Sequence, residues 1–155
     1  MNRKLHLTTS ILVNFKNDKV QEDWDNPSLD KKVKHIVQWA VNFLYRSYGY
    51  RATLTEIYRE ARQKGDVHAY WRAVDMRAND LQPEESAVLE RTANGLWQYD
   101  YKRPEMKVCY LHNVTPDNPS NLHFHFQVHP NTQVRVTDAD LAQGEKEYED
   151  LLDVT

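Results

Sequence analysis

The stretch Leu-His-Phe-His-Phe-Gln-Val-His, residues 122–129, alternates strictly between apolar and polar side chains. Alternation with a period of two predicts a β-strand, because successive side chains of a strand point to opposite faces of the sheet. One face of the predicted strand is apolar and would pack on a core. The opposite face carries His123, His125, Gln127 and His129, whereas a solvated face would more often carry Thr, Lys, Glu or Ser. This row of imidazoles is the first place to look for a functional site.

The composition is that of an ordinary folded domain. Of the 155 residues, 40% are hydrophobic and 28% are charged, which excludes the disordered and fibrous classes. A chain of this length is most simply one domain with a real core. The formal net charge is -3 and the sequence pI is about 6.1. Neither value favours binding to nucleic acid or to an anionic membrane, so we expect neither partner.

The single cysteine, Cys109, excludes an intrachain disulfide and a multi-cysteine zinc site. It lies in an apolar run, residues 108–111, and we expect it to be a small core residue. The first residues have no unbroken apolar segment and no small-residue cleavage site, so no signal peptide is predicted. No run approaches the roughly 20 apolar residues of a membrane span. We expect synthesis in the cytoplasm. The absence of a signal peptide fits a plain cytoplasmic protein and equally a product released by lysis or carried in a virion.

Three helices are predicted from apolar periodicity and capping signals. The first runs from Ser28, as N-cap, to about residue 46. The second begins with the capping-box pattern Thr53-Leu-Thr-Glu56 and runs to about Lys64, before Gly65. The third covers Pro83 to Asn94, with proline in the first turn and Gly95 just past the end.

Strands are predicted at residues 71–76, 107–111 and 122–128, and loops at 17–27 and 113–121. The order of these elements predicts an α+β fold with a small, mostly antiparallel sheet packed against helices. We interpret residues 1–155 as one domain with three parts. Residues 1–27 form an N-terminal strap or strand, residues 28–130 form the core, and residues 131–155 form an acidic tail with a short helix over 138–153.

Three separated motifs carry the residues that suggest chemistry. The first is Ser47-Tyr-Gly-Tyr-Arg51, and the second is His68-Ala-Tyr-Trp-Arg-Ala-Val-Asp75. The third is His123-Phe-His125 in the stretch quoted above. A catalytic zinc takes three protein ligands from His, Asp and Glu and keeps a fourth position open. His68, Asp75 and one histidine of the third motif would supply such a set if two strands lie side by side.

The order Gly-Tyr-Arg51, then His68-x6-Asp75, then a late His-x-His resembles the zinc D,D-carboxypeptidase and L-alanyl-D-glutamate endopeptidase family. These enzymes act on peptidoglycan stem peptides, and phage endolysins are among them. The resemblance covers about residues 44–128 and implies a D,D-peptidase/hedgehog-like fold. It also implies that His68, Asp75 and His125 bind Zn2+. Arg51 would hold the substrate carbonyl or the developing oxyanion.

The chain departs from the family pattern at three positions. Trp71 stands where the family has Gly, and Asp66 stands where it has Ser. Leu122 occupies the position of the acidic residue that serves the family as general base. His123, on the same strand face as His125, and His112 are the leading substitutes, and Asp117 is a weaker choice.

Two other functions remain open. A degenerate module of the same fold would bind a cell-wall peptide or serve as a structural part of a phage. The His-x-His motif is also typical of metal-dependent nucleases that use a later tyrosine, here Tyr148. Tyr148 lies among four acidic residues, and their charge opposes the approach of DNA phosphate.

Overall fold

The alternating stretch forms a strand next to the middle of a sheet. The computed structural model describes residues 12–113, 117–118 and 121–135. The main sheet has five strands in the order β1-β2-β3-β6-β5. Strands β1 and β2 are parallel, and the other neighbours are antiparallel. The strands are β1 Val13–Phe15, β2 Ala52–Glu56, β3 Ala73–Arg77, β5 Cys109–Asn113 and β6 Leu122–Gln127.

In the described part of the chain, three α-helices, one 3-10 helix and a small second sheet accompany the main sheet. In the second sheet, β4 pairs antiparallel with β7. The predicted α+β fold with a mostly antiparallel sheet is confirmed. These elements are α1 Asp18–Asp25, α2 Lys31–Tyr48, the 3-10 helix Val67–Tyr70, α3 Pro83–Leu96, β4 Trp97–Gln98 and β7 Gln133–Val134.

Strand β6 separates a core from a polar face. Phe124 and Phe126 are fully buried and pair in register with Met76 and Val74 of β3. Helix α2 contacts β2, β3 and β6. One cluster of buried apolar residues joins this helix to the sheet. The alternation in the sequence therefore sends the phenylalanines into the core and the histidines to the other side.

Cys109 is fully buried in β5, as the sequence predicts. Burial raises the pKa of its thiol well above the usual range. A thiol in this state is a poor nucleophile, because the reactive species is the thiolate.

The predicted helix over residues 53–64 is wrong. Residues 52–56 form β2, whose alternate residues Ala52 and Leu54 are buried against the core. The pairing with β1 and β3 outweighs the local capping-box signal, because tertiary contacts override weak helix propensity. A bulge between Leu54 and Glu56 ends the regular register.

Three smaller predictions about the helices also need correction. The predicted loop over residues 17–27 contains α1, whose N-cap Asn17 accepts a hydrogen bond from Val20. Helix α2 is capped by Asp30 and not by Ser28. Gly95 lies inside α3, which continues to Leu96.

Several predicted features fall partly or wholly outside the described residues. They are the N-terminal part of the strap, the acidic-tail helix over 138–153, the middle of the loop over 113–121, and Tyr148 of the nuclease alternative. No helix within the described ranges is both long enough and apolar enough to cross a membrane.

Candidate metal centre

Three side chains from three elements converge on the polar face of the sheet. His68 belongs to the 3-10 helix, Asp75 to β3 and His125 to β6. The Oδ1 atom of Asp75 lies 3.3 Å from Nε2 of His68 and 2.9 Å from Nδ1 of His125. One ligand atom from each residue lies within 4.8 Å of the other two, so this group can hold a metal ion. The structure brings together the three residues that the sequence predicts as ligands.

The two ring nitrogens of His68 differ in their hydrogen bonding. Nδ1 is 2.7 Å from the carbonyl oxygen of Ile57, so it carries the hydrogen and donates it. Nε2 then presents a lone pair toward Asp75. This atom is buried and has no hydrogen-bond partner among the described residues. A buried polar atom without a partner is costly, and a cation between Nε2 and the carboxylate would satisfy both groups.

His125 is held in the same way by Gln127. The amide nitrogen of Gln127 donates to the carbonyl of Lys107 at 2.9 Å, which turns its Oε1 toward the imidazole. Nε2 of His125 is 3.2 Å from this oxygen and therefore carries the donated hydrogen. The lone pair of Nδ1 faces Asp75. Both imidazoles thus donate to a fixed oxygen with one nitrogen and direct the other to the same carboxylate, an arrangement common around metal-binding histidines.

Charge at the centre also favours a cation. Burial would raise the pKa of Asp75, but the two imidazoles beside it outweigh burial and hold this pKa well below its usual range. Burial opposes the charged form of His68 as well, yet the neighbouring Asp75 outweighs it and raises the pKa of His68. The centre therefore presents a persistent carboxylate anion to whatever cation lies between the rings.

The turn that carries His68 is fixed by Asp66. Its Oδ1 accepts from the backbone N–H of His68 at 3.2 Å, which caps the 3-10 helix. Its Oδ2 accepts from the backbone of Arg62 at 3.2 Å and from Nε of Arg59 at 3.1 Å. Burial alone would raise the pKa of Asp66, but these donors hold it below its usual value. Arg59 also pairs with Glu56 at 2.5 Å, so one guanidinium ties this turn to β2.

Trp71 ends the same turn in a conformation that favours glycine. Its φ is 58°, in the left-handed region, which costs an ordinary L-residue about 1–2 kcal/mol. The ring stacks on Tyr58 with centroids 4.6 Å apart and an interplanar angle of 15°. The backbone of Trp71 also accepts a hydrogen bond from Asp30 at 2.9 Å. Stacking and this bond offset the strain of the left-handed conformation.

His123 lies beside the three ligands. Its Nδ1 donates to the carbonyl of Asn121 at 2.8 Å, and its Nε2 is 3.9 Å from Oδ2 of Asp75. His112 pairs with His123 across β5 and β6, and their ring centroids are 5.5 Å apart. Leu122 starts β6 and brings no carboxylate to this face. His123 is thus the titratable group placed next to the centre on the ligand side of β6.

Two adjoining cavities open at the centre. The smaller, about 390 Å³, contains His68, Asp75, His125 and both substitute histidines in its lining. The larger, about 860 Å³, meets it at Asp75 and His123 and extends toward β1 and β2. The metal-binding group therefore faces a space large enough for a small molecule or a short peptide.

Arg51 is not brought to these cavities. It is exposed just before β2, and neither lining includes it. The guanidiniums in the small cavity are those of Arg59 and Arg62. Asp117 is also exposed and outside both linings. The geometry gives no support to the oxyanion role predicted for Arg51.

Sequence reasoning missed Gln127, Glu56 and Arg59. Gln127 was visible as the polar residue two positions after His125, on the same face of the strand. Glu56 was hidden because its segment was interpreted as a helix, although it pairs in register with Asp75. Arg59 follows that strand in an irregular segment, and no local pattern marks it.

Replacing Gln127 with methionine is expected to lower zinc affinity about 10- to 100-fold, because Nε2 of His125 loses the oxygen that orients the ring. Competition with a fluorescent chelator measures the change. Gln98→Met, on β4 and outside both cavities, serves as the control and should bind zinc like the native chain. An unchanged affinity in Gln127→Met would show that Gln127 does not orient the ligand.

Comparisons with protein-family models, with curated proteins and with solved structures found no match for this chain.

Proposed function

We propose that this chain is a zinc-dependent peptidase that cleaves peptidoglycan stem peptides. The observation that carries the proposal is the ligand set, two imidazole lone pairs and a buried carboxylate that meet at the opening of a cavity. Nitrogen and carboxylate ligands in this number are typical of catalytic zinc sites, which keep a further position open. A zinc ion held there would polarise a peptide carbonyl and lower the pKa of a bound water toward about 7.

The residues of the chain have separate parts in this reaction. His68, Asp75 and His125 hold the metal, while Ile57 and Gln127 fix the two rings. His123 takes the part of general base. Its Nδ1 already donates to a carbonyl, so its Nε2 lone pair is available to accept a proton beside the metal.

Peptidoglycan as substrate rests on the resemblance of the three motifs, and two structural details support it. Trp71 has the left-handed conformation that suits the glycine of the family pattern. Asp66 caps the turn before His68, as a serine at this position would do. Trp71 thus keeps the backbone conformation of the glycine that it replaces, and Asp66 keeps the capping hydrogen bond of the serine. Release by lysis or carriage in a virion would bring the protein to this substrate.

A degenerate module that binds a cell-wall peptide is the second candidate. The observation that favours it is the state of Glu56, the other carboxylate in the small cavity. Glu56 is paired with Arg59 at 2.5 Å and lies 3.7 Å from Arg62. Both of its carboxylate oxygens therefore face a guanidinium, which leaves no unpaired carboxylate among the described residues of this cavity to serve as general base. In this case zinc would bind without hydrolysis.

Zinc-loaded protein is expected to release peptide fragments from purified peptidoglycan, and His123→Gln is expected to slow this release about 100- to 10,000-fold while zinc stays bound. Liberated amino groups measure the rate, and elemental analysis measures the zinc. His129→Gln is the matched control, because His129 lies after β6 and 3.7 Å from Asp100, outside both cavities. An unchanged rate in His123→Gln would remove His123 as the base. Stoichiometric zinc without cleavage of any peptidoglycan would favour the binding module.

A further inference from the structure

The larger cavity carries more basic than acidic side chains, although the chain as a whole is acidic. Its lining has five basic and three acidic residues. They are Lys16, Lys19, Arg59, Arg62 and Arg77, against Glu56, Glu60 and Asp75.

Most of the basic residues already have a carboxylate partner. Lys19 lies 2.7 Å from Asp23, and Arg59 is bound by Asp66 and Glu56. Arg62 lies 3.7 Å from Glu56. These charges hold the walls of the cavity and are not available to a ligand without breaking an ion pair.

Arg77 differs because its side chain makes no hydrogen bond or ion pair with the described part of the chain. It is half-buried on β3, two positions after Asp75 and on the same face, opposite His123 in register. Arg77 lies close enough to Tyr50 to act on it through its charge, and the hydroxyl of Tyr50 donates its hydrogen to Asp80. Lys16, just after β1, likewise has a side chain without a partner among these residues.

We propose that Arg77, assisted by Lys16, forms an anion-binding subsite for a carboxylate or phosphate group of the ligand in the larger cavity. A guanidinium binds the two oxygens of such a group at once, which gives it geometric selectivity that a lysine lacks. Two positions along a strand span about 6.6 Å. A ligand group at the metal centre and an anionic group about one or two peptide units away would therefore reach both sites together.

This subsite also bears on the substrate, a step that rests on the proposed peptidase function. It selects peptides with a free anionic group shortly after the cleaved bond. A matched pair of peptides, one with a C-terminal carboxylate and one with a carboxamide, should differ about 10- to 100-fold in kcat/KM. The anionic group that Arg77 binds could be the C-terminal carboxylate or a side-chain carboxylate. A third peptide, with a C-terminal carboxamide and a carboxylate on an internal side chain, distinguishes these two positions. Arg77→Gln should remove the preference, which is measured as the ratio of the two kcat/KM values in the same protein.

A titration with small anions tests the subsite independently of any hydrolysis. Acetate and methyl phosphate are titrated separately into metal-free and zinc-loaded protein at low ionic strength. The backbone 15N–1H signals of β3 and β6 are followed in every protein, together with the Arg77 side-chain signal in the native chain. We expect a saturable shift in both forms of the protein, a loss of at least about 10-fold in affinity in Arg77→Gln, and unchanged zinc content. Arg91→Gln, exposed on α3, should behave like the native chain.

Two results would overturn the subsite. One is the absence of any saturable shift, and the other is anion binding that needs zinc and is unchanged in Arg77→Gln, since the anion would then sit on the metal. The probe that binds with the lower Kd shows whether the subsite prefers a carboxylate or a phosphate group. Because these readouts need no cleavage, a protein that binds anions but hydrolyses nothing would refute the peptidase and keep the subsite.

Discussion

His68→Ala is expected to lose zinc almost completely. Structural zinc sites contribute about 10–16 kcal/mol through four ligands, so the loss of one ligand removes roughly 3 kcal/mol, or about 100- to 1000-fold in affinity. Asp75→Ala should lose at least as much, since the carboxylate faces both imidazole lone pairs. Equilibrium dialysis followed by elemental analysis measures the bound metal.

The same substitution should uncouple folding stability from zinc. At a free zinc concentration 1000 times its Kd, binding raises the free energy of unfolding of the native chain by about 4 kcal/mol. Because its Kd is 100- to 1000-fold higher, the variant should show only about 0.4–1.4 kcal/mol of this increase in urea unfolding with and without zinc. His129→Ala is the control for the loss of an imidazole, because His129 packs near Tyr99 and Asp100, away from the centre. Full zinc retention by both His68→Ala and Asp75→Ala would refute the metal centre.

Phe124→Ala is expected to lower the free energy of unfolding by about 3–5 kcal/mol, a large part of the 5–15 kcal/mol of a typical domain. Phe124 is fully buried, and it lies between Met76 and Leu111 of the two neighbouring strands. Its removal leaves a cavity that neighbouring strands fill only in part. Urea unfolding of the metal-free protein gives the value.

The control for this substitution removes a ring from the surface. Tyr101 is 57% exposed, and Tyr101→Ala should cost less than about 1 kcal/mol. The folded fraction of Phe124→Ala should still bind zinc, because the ligands lie on the opposite face of β6. A loss below 1 kcal/mol in Phe124→Ala would mean that the apolar face of β6 does not form the core.

The sequence was sufficient to predict secondary structure wherever the apolar residues recurred with one clear period. The alternation over residues 122–128 predicted β6 and the correct side for each of its residues, and the periodicity of α2 was equally clear. It failed at residues 53–64, where Thr53 and Glu56 gave a capping-box signal. Buried contacts of Ala52 and Leu54, which no local pattern contains, made this segment a strand.

The candidate site followed the same rule. The clustering of His68, Asp75 and His125 was predictable because the order of their motifs resembles that of a known zinc-peptidase family. The groups that orient them were not, since Ile57 contributes only a backbone carbonyl and Gln127 an amide. Arg59 and Arg77 depend on how three strands lie side by side. Long-range pairing of this kind leaves no trace in the spacing of residues along the chain.

The pairing of β3 with β6 has a consequence for how the protein reaches its native state. It joins Asp75 to His125 across 50 residues, and closing so long a loop must precede any gain from the contact. High contact order makes such steps slow. A metal ion that needs both strands can bind only after this step, so it would lengthen the lifetime of the folded chain and leave the folding rate almost unchanged. The metal centre would therefore slow unfolding and would not be part of the folding nucleus.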